Sequence, residues 1–234
     1  MSKKQEPLVF VENLGYKYAT RVILEKMYFC INEGENIALL GKNGSGKSTL
    51  IKGLNGLLIP YSGKYNISRE YLSSSYDTDM YTIFSHPEDQ ILMPTIYSEL
   101  ALGLIQMNKT EQQINSIIEE MLTRFGLAEY INSSPYTLST GEKKKLLLAI
   151  ALTMNPALLI LDEPFSGLDV KSKNELANYI RGISSTLIIA THEYDYASQC
   201  CQKALVISQK KIHYINDLQT LLNDQNLLSM YELC

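Results

Sequence analysis

The stretch GKNGSGKST, Gly41 to Thr49, fits the pattern G-x-x-x-x-G-K-[ST] through Gly41, Gly46, Lys47 and Ser48. Chemistry explains the spacing. Glycines let successive backbone N–H groups wrap a chain of phosphates, which then rests on the positive end of the helix that follows. Lys47 is placed to reach the β- and γ-phosphates, and Ser48 offers a hydroxyl to Mg²⁺. Lys42, Asn43, Gly44, Ser45 and Thr49 complete the loop. The apolar run NIALL (36–40) precedes it and the helix-like STLIKGL follows, a setting that a phosphate cradle needs and a glycine-rich structural turn does not. The pattern predicts a nucleotide site.

A second piece is LLILDEP, Leu158 to Pro164. An apolar strand ending in Asp162 would carry that carboxylate to the Mg²⁺. Glu163, one residue on, would face the γ-phosphate and orient or deprotonate the attacking water. Alone, the two acids could equally end a strand in a solvated turn; the phosphate loop upstream favours the chemical reading. Further along, Ser139 and Glu142 form S-x-x-E ahead of KKKLLLAIAL, a capping box that opens a helix. A helix opened there also presents its positive end to an anion.

These residues need a frame. Apolar runs occur at 8–14, 21–31, 36–40, 80–84, 157–162, 186–190 and 204–208. Several are unbroken rather than alternating, which predicts central strands covered on both faces. Helical stretches between them predict βα units and a mostly parallel sheet. The segment from Ile96 to Ser133 reads as helix after helix, so a helical lobe is expected between two core strands, within about 91–140. The tail from about 209 to 234 is expected to add a strand and one or two small helices.

Composition narrows the function. A net charge of −4 argues against nucleic acid as the main partner. Cys30, Cys200, Cys201 and Cys234 have the spacing of neither a zinc site nor a secreted disulfide framework, so idle or buried thiols in a reducing compartment are expected. The N-terminus lacks a signal-peptide apolar run. The longest apolar stretch, Leu146 to Leu161, is split by Asn155-Pro156, and neither half approaches the ~20 residues of a membrane span.

Taken together, the motifs resemble the ATP-binding cassette (ABC) ATPases, in that family's order. LSTGE (138–142) resembles the family signature, SGLD (166–169) the loop after the magnesium strand, and THE (191–193) the switch carrying a histidine, here His192. Gln90 falls at the glutamine loop, and Tyr18 where an aromatic stacks on adenine. The resemblance runs from about Leu8 to Ser208. It implies an α/β fold with a P-loop NTPase core of mostly parallel sheet, an antiparallel β subdomain and an inserted helical lobe, as a single domain over 1–234. It also implies ATP and Mg²⁺ as ligands, with Ser48, Gln90 and Asp162 around the metal. Glu163, His192 and Gln90 would serve catalysis. Ser139, Gly141 and Glu142 would meet the nucleotide of a second ABC ATPase subunit, identical or not, with Asp169 in the dimer loop. Transmembrane transporter subunits complete the expected assembly, at the cytoplasmic face of the cell membrane.

FSHPEDQILMPTIYSELALGL (84–104) is more specific. Its Pro87-x-Asp89-Gln90, Thr95, Glu99 and Ala101-x-Gly103 resemble the energy-coupling factor importers and the related cobalt and nickel systems; THEYDYA (191–197) does too. Ser85 and His86 depart from that subfamily's pattern. Uptake of a vitamin or a transition-metal ion is the function implied; another importer, an exporter or a regulatory, non-transport ABC ATPase is the alternative. Contiguous halves, one cassette and an acidic balance disfavour members acting on DNA or the ribosome. Thr140 and Glu142 depart from the signature's first glycine and its glutamine. Threonine resists positive φ, which leaves open an altered local geometry and a heterodimer with one poorer site.

Overall fold

A computed structural model describes residues 6–67 and 80–233. Cys234, among the four thiols, lies outside them. Three antiparallel strands, β1 (Val9–Tyr18), β2 (Arg21–Ile31) and β4 (Ser62–Ile67), form one sheet in the order β2-β1-β4. A six-stranded sheet holds β3 (Asn36–Leu40), β5 (Met80–Ile83), β6 (Leu158–Asp162), β7 (Thr186–Ala190), β8 (Lys203–Ser208) and β9 (Lys211–Ile215), in the order β5-β6-β7-β3-β8-β9. Five of these run parallel and β9 closes the edge antiparallel.

The unbroken apolar runs are explained by what lies on either side. Strands β6 and β7 are buried at every position. Leu159, Leu161 and Ile189 point to a core shared with helices, whereas Leu158, Ile160 and Ile188 point to a core shared with the antiparallel sheet and α1 (Lys47–Leu54). The period of two thus divides each strand between two cores. Asp162 has the parity of Leu158 and Ile160, so it belongs to the side that holds α1.

Between β5 and β6 come α2 (Ile96–Gln106), α3 (Glu111–Arg124) and α4 (Thr140–Thr153). Each starts at a capping box, at Thr95, Thr110 and Ser139. Glu99 is buried, and its carboxylate accepts from the N–H groups of Leu92 (3.0 Å) and Met93 (2.6 Å), tying α2 to the chain just after Gln90. Thr140 is the first residue of α4 and its φ is not positive. The strain expected of threonine there does not arise, because the position is helical.

After β6 follow α5 (Val170–Arg181) and, beyond β7, α6 (Tyr194–Cys200). The tail supplies β9, α7 (Leu218–Asn223) and α8 (Gln225–Met230), a strand and two short helices as expected. Cys200 and Cys201 are buried, and Cys30 is exposed. His213 is half-buried on β9, its ring against Tyr231. Among the described residues no helix is long and apolar enough to cross a membrane.

Candidate functional site

Strands β3, β6 and β7 are neighbours, and all end at one edge of the sheet. Asp162 pairs with Ala190, as does Leu39. The phosphate loop leaves β3 there, Glu163 follows β6, and Thr191 and His192 follow β7. Parallel neighbouring strands therefore deliver three sequence-distant motifs to one place, at the carboxyl edge where open α/β sheets hold their ligands.

The loop itself is built on glycine backbone. Gly46, which caps α1, has φ +114, and a Cβ there would lie 2.9 Å from Leu24. Gly41 has φ +152, and a Cβ would meet Ser45 Oγ at 2.5 Å and the Ile207 carbonyl at 2.8 Å. Lys47 is 7% exposed and donates to the Gly41 carbonyl at 2.6 Å. Burial lowers its pKa, opposed by the charges of Glu163 and Asp162. Ser45 Oγ is buried without a partner among the described residues, an orphan polar atom beside the cradle.

An open cleft of ≈ 470 Å³ runs along this loop. Asn43, Gly44, Gly46, Lys47, Ser48 and Thr49 line one side, with Asp162 and Glu163 opposite. Three further lining residues were not legible as site residues: Arg21 and Ile23, from the antiparallel sheet, and Ser85. The only available signal for Arg21 was its place across the hairpin from Tyr18, with which it pairs. Tyr18 is 46% exposed at the end of β1. Lys42 faces the adjoining hollow, in a 3.1 Å ion pair with Glu232.

Asp162 is 7% exposed and pushed up to about 6 by burial, with Glu163 adding to the rise and Lys47 opposing it. A buried carboxylate in that state favours a cation. With the Ser48 hydroxyl on the same cleft, the oxygen donors suit Mg²⁺, which accepts few protein ligands and otherwise holds water and phosphate oxygens.

Glu163 has φ +51, in the left-handed region, where a non-glycine residue is strained. Its N–H donates to the Ala190 carbonyl at 2.7 Å. Its Oε2 accepts from Thr191 Oγ1 at 3.1 Å and lies 2.9 Å from His192 Nδ1. The main-chain carbonyl accepts from Lys144 Nζ at 3.2 Å. The candidate base is thus held at backbone and side chain.

Gln90 is placed otherwise. Its amide N–H donates to the Thr82 carbonyl at 2.9 Å, and its Oε1 accepts from the Phe84 N–H at 2.8 Å. The side chain continues the edge of β5 and is not in the cleft. Ser139 Oγ accepts the Glu142 N–H at 3.4 Å, and the Glu142 carboxylate accepts from Ser139 Oγ at 2.6 Å and from the Ser139 N–H at 2.8 Å; these last two bonds, the hydroxyl first, lower the Glu142 pKa. So Glu142 completes a cap for its own helix. Asp169 caps α5 through Ser172, accepting its N–H at 3.0 Å and its hydroxyl at 2.7 Å. A Cβ on Gly141 would come no nearer than 3.7 Å to Leu168 or Ser172.

Comparison with known proteins follows the same lines. The family model described as ABC transporter matches residues 24–166. A Gloeobacter violaceus protein, provisionally named an ABC transporter ATP-binding protein, is 36% identical, covering 97% of this chain and 96% of its own. One from Methanosarcina acetivorans, named in the same way, is 34% identical over 93% of this chain and 86% of its own. The solved structure of cbiO1 from Clostridium perfringens, titled as part of the ABC transporter complex cbiONQ, superposes with a TM-score of 0.82 at 27% identity, covering 98% of this chain and 96% of that one.

Proposed function

The chain belongs to the ABC transporter family, as an ATP-binding protein, and from that premise we propose that it hydrolyses ATP to power an energy-coupling-factor-type importer of a vitamin or transition-metal ion. The observation that carries the ATPase reading is the meeting of Lys47, Ser48, Asp162 and Glu163 on one cleft, with His192 on the Glu163 carboxylate. Likeness to cbiO1, itself part of a transporter complex, supports the importer reading. The chain acts as one ABC ATPase domain, its helical lobe inserted over about 91–140.

In this reading the loop amides and Lys47 hold the phosphates, with Arg21 and Tyr18 on the nucleoside side. Bound Mg²⁺, held by Ser48 and Asp162, would neutralise charge on the phosphate oxygens. Glu163 takes a proton from the attacking water, and His192 and Thr191 fix the carboxylate that receives it. Gln90, now bonded to Thr82 and Phe84, would have to leave them to help hold a bound Mg²⁺, and that exchange would link nucleotide occupancy to the turn over Pro87–Gln90 and the helical lobe.

Ser139, Gly141 and Glu142 serve a second subunit's nucleotide, with Asp169 in the dimer loop. Gly141 supports this: its own chain leaves room for a side chain, so only an approaching partner would require the glycine. The assembly sits on the cytoplasmic face of the membrane, bound to transmembrane subunits.

The test is to tag the chain in its own cell, solubilise the membrane gently and identify co-purifying proteins by mass spectrometry. A second ABC ATPase, a transmembrane coupling subunit and a small substrate-binding membrane protein are expected. Recovery with a different permease, or alone in the soluble fraction, would refute the importer class.

A further inference from the structure

Lys143, Lys144 and Lys145 follow one another on α4, one turn below the signature, and a helix turns successive side chains about 100° apart. Each therefore meets a different neighbour. Lys143 Nζ lies 3.3 Å from Glu88 in the short turn that carries Gln90, and Lys145 Nζ lies 2.8 Å from Glu175 on α5. Lys144 turns inward. It is 6% exposed, and its ammonium donates to the carbonyls of Glu163 (3.2 Å), Pro164 (2.8 Å) and Ser166 (2.6 Å). An ammonium has three protons, and here each has an acceptor.

Burying that charge is costly, and an apolar side chain with the same stem would fill the space without the desolvation. What such a residue lacks is three donors aimed at one loop. That loop begins at Glu163, whose φ of +51 must be held by its surroundings. Its N–H is fixed by Ala190 and its carboxylate by Thr191 and His192; the carbonyl is fixed by Lys144, from the helix that Ser139 opens.

We propose that Lys144 is a positioning residue for hydrolysis: it locks the Glu163 backbone so that the carboxylate stays aimed at the attacking water, and it ties that aim to the signature helix. The inference rests on Glu163 being the base. No proton passes through Lys144 and it touches no substrate; its effect is on geometry alone, so it acts on turnover rather than on ATP binding.

The experiment is a double-mutant cycle on the full chain, purified with whatever subunits accompany it, using Lys144→Met, Glu163→Gln and both together. Circular dichroism verifies folding, and ATP affinity is measured beside turnover. Lys144→Met is expected to lower turnover by roughly 10- to 100-fold with ATP affinity unchanged, since a misplacement of about 1 Å costs that much. In the Glu163→Gln background the same substitution is expected to add nothing, because the group it aims is already gone. Additive losses, or a folded Lys144→Met with wild-type turnover, would overturn the proposal. If Lys144→Met does not fold, Lys144→Gln, which keeps two donors and no charge, takes its place in the cycle with the same readings. Unchanged turnover in Glu163→Gln alone would remove Glu163 as base, and the proposal with it; the cycle thus separates that failure from failure of Lys144.

Discussion

Oε2 of Glu163 lies 2.9 Å from Nδ1 of His192, although the two residues reach this contact from different strands. The contact sets the imidazole against the carboxylate that follows β6. Thr191 supplies a donor to the same oxygen, at 3.1 Å. Without the imidazole, the carboxylate keeps one of its two side-chain partners. His192→Ala is therefore expected to reduce ATP turnover by roughly 10², the loss typical of removing one preorganised polar group from an active site, while ATP binding persists. Steady-state hydrolysis beside a binding titration checks this; equal activity would show that Thr191 and the backbone suffice.

Asp162 makes stability depend on pH. Its pKa is raised from 3.8 to about 6, so its contribution to folding is full below 3.8 and is lost as pH rises through about 6. That interval corresponds to at most about 3 kcal/mol. Without nucleotide, Asp162→Asn is expected to melt higher than wild type at pH 7.5 and level with it at pH 4. Added Mg²⁺ and ATP are expected to stabilise wild type and not the variant. Thermal melts at the two pH values decide it.

Gly141 separates the needs of this chain from those of a partner. A Cβ there has ordinary clearance, and alanine is favoured over glycine in a helix by up to about 1 kcal/mol. Gly141→Ala is expected to leave the melting temperature of the isolated chain equal or higher while ATP turnover falls. Turnover that is unchanged would place the partner's nucleotide away from this residue.

Lys47 donates to the Gly41 carbonyl from within the loop. Replacing it with methionine keeps the stem and removes the charged donor. ATP affinity is expected to weaken roughly 10- to 100-fold, the worth of a hydrogen bond to a charged group. Calorimetry measures it directly, and wild-type affinity in Lys47→Met would argue against phosphate in this loop.

Much of this frame can be read along the chain because its causes are local. NIALL, LLILD and TLIIA are strands whose burial on both faces leaves unbroken apolar runs, and Ser139 with Glu142 announces a helix start through side chains three residues apart. Strand β4 is missed for the opposite reason: SGKYNI is partly exposed and polar, and it owes its place to pairing with β1. Lys144 looks like its two neighbours in sequence; only tertiary packing picks it out. Arg21 and Ser85 line the cleft through tertiary placement. Gln90 is readable as a polar residue after a strand, but its docking on Thr82 and Phe84 depends on how the turn folds back.

The most direct test of the central claim is ATP turnover by the full chain and by Glu163→Gln, with ATP affinity measured on both. Turnover is expected to fall by roughly 10²–10⁴, the span for removal of a general base, while ATP remains bound. Equal turnover in the two proteins would contradict the assignment of hydrolysis to this cleft.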